Sequence, residues 1–113
     1  MDREEYVEAV LSLVERIPAG RVTTYGALAE AVGSGGPRQV GTVMATYGGP
    51  VPWWRVVHAD GTPARVDDAV ALEHHRAEGT PVRPSGKVVM REAMWWPDPA
   101  EGGLSAPDGA IER

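Results

Sequence analysis

The chain of 113 residues contains no cysteine. This absence excludes disulfide bonds, zinc sites with thiolate ligands and a cysteine nucleophile. No apolar run approaches the ~20 residues that a membrane-spanning helix needs, and the acidic start of the chain is unlike a signal peptide. We therefore expect a soluble cytoplasmic protein with one hydrophobic core and no contact with a membrane.

Sequence motifs of several enzyme classes are also missing. The chain has neither a Walker loop nor a dinucleotide fingerprint, and none of its serines lies in a nucleophile-elbow motif. The adjacent His74 and His75 would point about 100° apart on a helix, which is unfavourable for chelating one metal ion. We predict no catalytic residue, no metal and no cofactor.

The net charge of −5 is unevenly distributed along the chain. Residues 18–66 hold four arginines against two acidic residues, whereas residues 1–17 and 97–113 each carry a net charge of −3. The negative charge of the whole chain argues against a nucleic-acid partner. Arginine, however, binds phosphate and stacks on aromatic rings, which favours such a partner for residues 18–66. An ordinary solvated surface fits the same charges.

Hydrophobic periodicity and helix-end signals predict a mainly α protein. We place four helices at residues 3–17, 24–32, 37–47 and 68–78. Asp2 and Thr24 are suitable N-caps, and Gly33 and Gly79 follow the second and fourth helices, as is typical of helix ends. Asp60-Gly61 predicts a turn, and hence a small β-hairpin over residues 55–66.

The second and third helices, joined by a short glycine-containing turn, predict a winged helix-turn-helix-like DNA-binding domain over residues 1–96, with the hairpin as its wing. In that motif the second helix enters a DNA groove with its N-terminal residues leading, which here are Arg38 and Gln39. A plain helical hairpin without DNA binding fits the same pattern. Residues 97–113, acidic and rich in proline and glycine, are expected to form a disordered tail.

Two pairs of tryptophans stand out. Trp53 and Trp54 follow a Gly/Pro loop, and neighbours in an extended segment point to opposite sides, so at least one should face a groove or pocket. An aromatic wall beside a basic segment suits a flipped nucleobase. Trp95 and Trp96 are expected to pack against the rest of the domain.

Residues 20–62 resemble the DNA-binding domain of the alkyltransferases that repair O6-alkylguanine in DNA. The matching pieces are Gly-Arg-Val-Thr-Thr-Tyr-Gly-Ala-Leu-Ala at 20–29, Pro-Arg-Gln-Val-Gly at 37–41 with Met44, and Val-Pro-Trp-Trp-Arg-Val-Val at 51–57 with Gly61. The repair proteins have Pro-Cys-His-Arg-Val in the third piece. Trp53 therefore stands at the acceptor cysteine and Trp54 at the histidine. Tryptophan for cysteine marks a sub-family, the alkyltransferase-like proteins.

The resemblance implies roles for individual residues. Tyr25 would crowd the phosphate of the target nucleotide, and Arg38 would fill the space that the nucleotide leaves. The expected DNA-binding residues are Thr24, Tyr25, Arg38 and Gln39, and the expected lesion pocket comprises Val51, Pro52, Trp53 and Arg65. Arg55 would anchor the site loop, and Gly41 would allow close packing within the helix-turn-helix.

Alkyl transfer needs a thiolate, and an indole nitrogen is only a hydrogen-bond donor. The resemblance thus implies non-enzymatic recognition of O6-alkylguanine in double-stranded DNA by nucleotide flipping, in a nucleoid-associated protein that marks the lesion for nucleotide excision repair proteins. A sequence-specific winged-helix transcription regulator without lesion recognition is the main alternative. An enzyme acting on DNA, such as a residual alkyltransferase or a glycosylase, is a third hypothesis.

Overall fold

The computed structural model describes residues 1–63 and 68–98. Within these residues, the α-helices are α1 (Arg3–Glu15), α2 (Tyr25–Val32), α3 (Pro37–Tyr47), α4 (Asp68–Glu78) and α5 (Met90–Ala93). Two short strands, β1 (Thr23–Thr24) and β2 (Val56–Val57), and a 3-10 turn at Trp53–Arg55 complete the regular structure of this part. The predicted mainly α fold is confirmed. No helix of the described part has the length and apolar character that crossing a bilayer requires.

Helix α1 begins where its capping residues predict. The Asp2 carboxylate accepts a hydrogen bond from the Glu5 amide at 2.8 Å, and the Glu5 carboxylate accepts one from the Asp2 amide at 3.1 Å. This reciprocal capping box satisfies two backbone N–H groups at the helix start. The buried face of α1, which includes Val10, Leu13 and Val14, forms one side of the main hydrophobic core.

The two predicted helices of the helix-turn-helix are confirmed as α2 and α3. The Thr24 hydroxyl caps α2 by accepting from the Ala27 amide at 3.0 Å. Gly33 ends the helix in the left-handed conformation, with φ +82°, a region that favours glycine. Helices α1, α2 and α3 pack on one another around Leu28, Val40 and Val43, which fixes the start of α2 beside the start of α3.

The small sheet differs from the predicted hairpin. Strand β2 pairs in parallel with β1, with Thr23 opposite Val56 and Thr24 opposite Val57. Both Val56 and Val57 are buried, one in each of two hydrophobic clusters. A short strand that is apolar on both faces is typical of parallel pairing, and this signal outweighs the turn that suggested a hairpin.

The turn itself is present. The Gly61 amide donates to the His58 carbonyl at 2.8 Å, and the His58 amide donates to the Thr62 carbonyl at 3.0 Å. The Gly61 carbonyl instead accepts from the Val88 amide at 2.9 Å, so the chain turns toward a later segment rather than along β2. The predicted wing over residues 55–66 is therefore wrong up to residue 63, and residues 64–67 lie outside the described part.

The C-terminal segment returns to the start of the domain. Met94 forms a parallel bridge with Val22, and the Trp95 amide donates to the Val22 carbonyl at 2.7 Å. Trp95 packs against the main core as expected, but Trp96 is 70% exposed, so the packing predicted for it is wrong. The predicted tail falls mostly on residues 99–113, which lie outside the described residues, and the prediction of disorder stays untested.

Candidate nucleic-acid interface

A cavity of about 940 Å³ opens between the first turns of α2 and α3 and the loops that follow α3 and β2. Its lining consists of Thr24, Tyr25, Gly26, Pro37, Arg38, Gly41, Met44, Ala45, Gly48, Gly49, Trp53, His58 and Ala59. Most of these residues are apolar or glycine. The cavity therefore combines a flat apolar interior with a few polar groups, as is typical of sites that bind organic ligands.

Positively charged groups are concentrated at this cavity although the whole chain is acidic. Two helix N-termini open onto it, those of α2 and α3, and each carries a partial positive charge from its unpaired backbone N–H groups. Among the described residues, Arg38 is the one formally charged member of the lining, and it forms no ion pair with any of the others. This arrangement favours an anionic ligand such as a phosphate.

Tyr25 and His58 form an aromatic edge of the cavity, with ring centroids 5.3 Å apart. Burial raises the pKa of the Tyr25 phenol, so its hydroxyl stays protonated near neutral pH and can donate to an anion. The parallel pairing of β1 with β2 brings His58, which follows β2, beside Tyr25, which follows β1. Sequence reasoning missed His58 because this contact depends on the sheet and has no local signal.

Trp53 and Trp54 do go to different sides, although not for the predicted reason. They lie in a 3-10 turn rather than an extended segment, and the Arg55 amide closes that turn on the Pro52 carbonyl at 3.0 Å. Trp53 lines the cavity. Trp54 points to α4, where its indole N–H donates to a Glu78 carboxylate oxygen at 2.9 Å.

Behind Trp53, an ion pair holds three segments together. The Arg55 guanidinium donates to both carboxylate oxygens of Glu78, at 3.1 and 2.6 Å, and to the Ile17 carbonyl at 2.8 Å. The Gly20 amide also donates to Glu78, at 3.2 Å. Because the two side chains are only 17% and 14% exposed, this pair is little screened by solvent. The anchoring role predicted for Arg55 is confirmed, whereas Glu78 had no signal in the sequence.

Glu78 stays ionised in this setting. Burial alone raises the pKa of its carboxyl, but the hydrogen bonds from Arg55, from the Trp54 indole and from the Gly20 amide together outweigh burial. The net effect holds the pKa of Glu78 below its ordinary value of 4.5. The anchor of the Trp53 turn is therefore a charged pair at neutral pH.

The model of the DNA-binding domain of 6-O-methylguanine DNA methyltransferase matches residues 5–79 of this chain. The chain belongs to this methyltransferase family. It is 35% identical over 101 residues to the DNA base-flipping protein of Escherichia coli K12, covering 84% of this chain and 78% of that protein. It is 32% identical over 111 residues to Alkyltransferase-like protein 1 of Schizosaccharomyces pombe, covering 86% of this chain and all of that protein.

Solved structures agree with this assignment. The crystal structure of S. pombe Atl1 in complex with damaged DNA containing O6-carboxymethylguanine superimposes with a TM-score of 0.76 at 31% identity, over 86% of this chain and 100% of that one. A second structure, S. pombe ATL in complex with DNA, gives a TM-score of 0.73 at 32% identity, with the same coverage of both chains. The resemblance to the alkyltransferase-like proteins is confirmed.

Within the methyltransferase fold, several predicted site residues lie elsewhere. Val51, 5% exposed, belongs to the main core, where its amide closes a turn on the Gly48 carbonyl, and it is not among the residues that line the cavity. Pro52 does not line the cavity either. Gln39 is exposed but outside the cavity lining, and its side-chain carbonyl accepts from the Gly36 amide at 3.0 Å. Arg65 lies outside the described residues.

Gly41 has a different role from the close packing predicted for it. A Cβ atom added to Gly41 would meet no atom within 4 Å beyond its chain neighbours and the nearby backbone of its own helix, so packing within the domain does not require a glycine. Glycine inside a helix also costs about 0.5–1 kcal/mol relative to alanine. The open space beside Gly41 belongs to the cavity that it lines, which points to a ligand rather than to packing.

We expect Glu78→Gln to lower the free energy of unfolding by about 2–4 kcal/mol near neutral pH, because it leaves the Arg55 guanidinium half-buried and without its counter-charge. A lowered pKa means that this stabilisation is present above the ordinary pKa of 4.5 and is lost as the pH falls through the folded pKa. The difference between wild type and variant should therefore shrink in acid, as measured by urea unfolding.

Glu73→Gln is the matched control, since Glu73 is an exposed carboxylate on the same helix. Its effect on stability should be small at every pH. A Glu78→Gln effect of the same size at about pH 7 and about pH 3 would contradict the role of the ionised carboxylate.

Proposed function

We propose that this chain binds O6-alkylguanine in double-stranded DNA by turning the damaged nucleotide out of the helix and into the Trp53 cavity, and that it leaves the alkyl group on the base. The observation that carries this proposal is the cavity itself, where an indole, a phenol and an arginine meet at two helix N-termini. Nucleotide flipping requires that the protein hold the DNA backbone and stabilise the extruded base, and these groups can do both.

The first requirement is to hold the DNA backbone. Extruding a nucleotide exposes its phosphates to the protein, and phosphates bind well at helix N-termini and to arginine. The starts of α2 and α3, with Tyr25 and Arg38 on their first turns, supply these groups around one opening. Arg38 is exposed and unpaired in the described part, so it is available to enter the space left by the nucleotide.

The second requirement is to stabilise the extruded base. Unstacking and unpairing cost a few kcal/mol, and the cost is least for a damaged base that pairs poorly. Trp53 offers a ring for contact with the base, and Met44 and Ala45 add apolar surface in the same cavity. Sheltering an alkyl group from water adds roughly 0.8 kcal/mol per methylene. The cavity therefore favours alkylated over normal guanine.

The comparisons support the choice of lesion. S. pombe Atl1, which shares this fold over most of the chain, has been crystallised with DNA that contains O6-carboxymethylguanine. The relative in E. coli is a DNA base-flipping protein. The first supports a ligand of the O6-alkylguanine class, and the second supports nucleotide flipping as the mode of binding.

The absence of transfer follows from chemistry. Alkyl transfer to the protein needs a nucleophile of thiolate strength, and the chain contains no cysteine. The indole of Trp53 is a hydrogen-bond donor and a poor nucleophile. Without transfer the lesion stays on the base, so its removal needs other proteins, and we propose that these are nucleotide excision repair proteins acting on a nucleoid-associated complex in the cytoplasm.

Fluorescence anisotropy with a labelled duplex tests the proposal. A duplex with one O6-methylguanine should bind roughly tenfold or more tightly than the same duplex with guanine, a difference of about 1.4 kcal/mol. Mass spectrometry of the protein after incubation should find its mass unchanged. Equal affinity for the two duplexes, or a methyl group gained by the protein, would contradict the proposal.

Arg38→Ala should weaken binding to the damaged duplex by about ten- to a hundredfold, the range expected for loss of one well-placed arginine contact. Arg83→Ala is the control, because Arg83 is also an exposed arginine but lies away from the cavity. If both variants weaken binding equally, the effect is one of net charge and the role assigned to Arg38 fails.

Gly41→Ala should raise stability and weaken binding at the same time. The methyl group meets no side chain or backbone of another element within 4 Å and improves helix propensity, which is worth about 0.5–1 kcal/mol. The same methyl group occupies space at the cavity wall, so affinity for the damaged duplex should fall several-fold.

Thr46→Ala, at an exposed position of α3 outside the cavity lining, is the control for helix propensity. It should raise stability without affecting affinity. A destabilised Gly41→Ala variant would restore the packing role for Gly41, and unchanged affinity would remove the glycine from the binding surface. Thermal unfolding and the anisotropy titration measure the two effects.

A further inference from the structure

We infer that His74 is a positioning residue of the Trp53 cavity: stacked on Trp54, it holds the Trp53 indole in the orientation that a flipped base would meet. The inference rests on the proposed function, because it assigns a role toward the same ligand. His74 does not line the cavity, so its effect must pass through the tryptophans.

The stack between His74 and Trp54 is close and flat. Their ring centroids are 3.6 Å apart, and the ring planes differ by 7°. The plane of the Trp53 ring lies nearly perpendicular to both. It makes an angle of 81° with the His74 ring, at a centroid distance of 6.2 Å, and of 84° with the Trp54 ring, at 5.6 Å. Edge-to-face contacts of this kind are a favourable geometry for aromatic pairs. The three rings form one cluster with Trp53 on its cavity side.

Helix α4 fixes the inner part of this cluster by two hydrogen bonds to Trp54. The Trp54 indole N–H donates to Glu78 at 2.9 Å. The Trp54 carbonyl lies 2.7 Å from His75 Nε2, and since a carbonyl only accepts, His75 is the donor. His74 immediately precedes the fully buried His75 on the same helix. Any movement of His74 relative to Trp54 is therefore opposed by the helix that carries both contacts.

Trp53 itself has fewer restraints. Its backbone amide bonds to the Val51 carbonyl at 2.6 Å, but within residues 1–63 and 68–98 its indole makes no hydrogen bond. Within the same residues, the aromatic rings that contact the Trp53 ring are those of Trp54 and His74. A flat ring at position 74 restricts how the paired tryptophans can rotate, whereas an aliphatic side chain fills similar volume without a plane. This difference makes the proposal testable.

Lesion preference, the Kd for undamaged duplex divided by the Kd for duplex with O6-methylguanine, is the readout. His74→Leu keeps the bulk and removes the ring, so the ratio should fall by roughly three- to tenfold, the value of one good aromatic contact. His74→Phe keeps a ring that can stack on Trp54, and its ratio should stay within about twofold of wild type.

Leu72→Ala is the control for a structural effect, since Leu72 is half-buried on α4 and is not one of the three aromatic residues of the cluster. It should lower stability and leave the ratio unchanged. A wild-type ratio near one would remove the proposed function itself. If the wild type clearly prefers the damaged duplex, three results would overturn only the role of His74. These are a preference that His74→Leu retains, a preference that Leu72→Ala loses, and a preference that a folded His74→Phe loses.

Discussion

The ion pair between Arg55 and Glu78 is the interaction on which the site depends. It joins the turn that carries Trp53 to the end of α4 and, through the Ile17 carbonyl and the Gly20 amide, to the loop between α1 and β1. With these segments fixed, Trp54 is held against α4 and Trp53 is left at the cavity. A flexible loop could not present an aromatic ring to a base in one orientation, so this buried pair serves recognition as well as stability.

The cavity resolves the conflict between an acidic protein and an anionic ligand. The net charge of −5 opposes DNA binding at long range. At the cavity, however, two helix N-termini and Arg38 produce a local positive field, which acts at short distance where screening by salt is weakest. Gly41 places no side chain on this part of the cavity wall, and an added Cβ atom there would meet no other element within 4 Å.

Features with local causes were predictable from the sequence. The Asp2 capping box and the Thr24 and Gly33 helix ends fix α1 and α2, and Trp53 and Arg38 were assigned to the site through a family resemblance. Features that arise from pairing between distant segments were not. The hairpin prediction chose the wrong partner for β2, and Glu78, 23 residues after Arg55, had no pattern that connects it to the site. His58 and His74 belong to the same class, since each acquires its role only from a neighbour in the folded chain.

The central claim is that an alkylated guanine lies against Trp53 with its alkyl group intact. NMR of a duplex that carries O6-methylguanine with a 13C-labelled methyl group tests it most directly. On binding, the methyl resonance should move upfield through the ring current of the indole, and the methyl group should remain attached to guanine. In the complex with Trp53→Leu, the upfield shift should be absent. A methyl resonance that stays at its free-duplex position in the saturated complex, or that shifts equally with Trp53→Leu, would contradict the account.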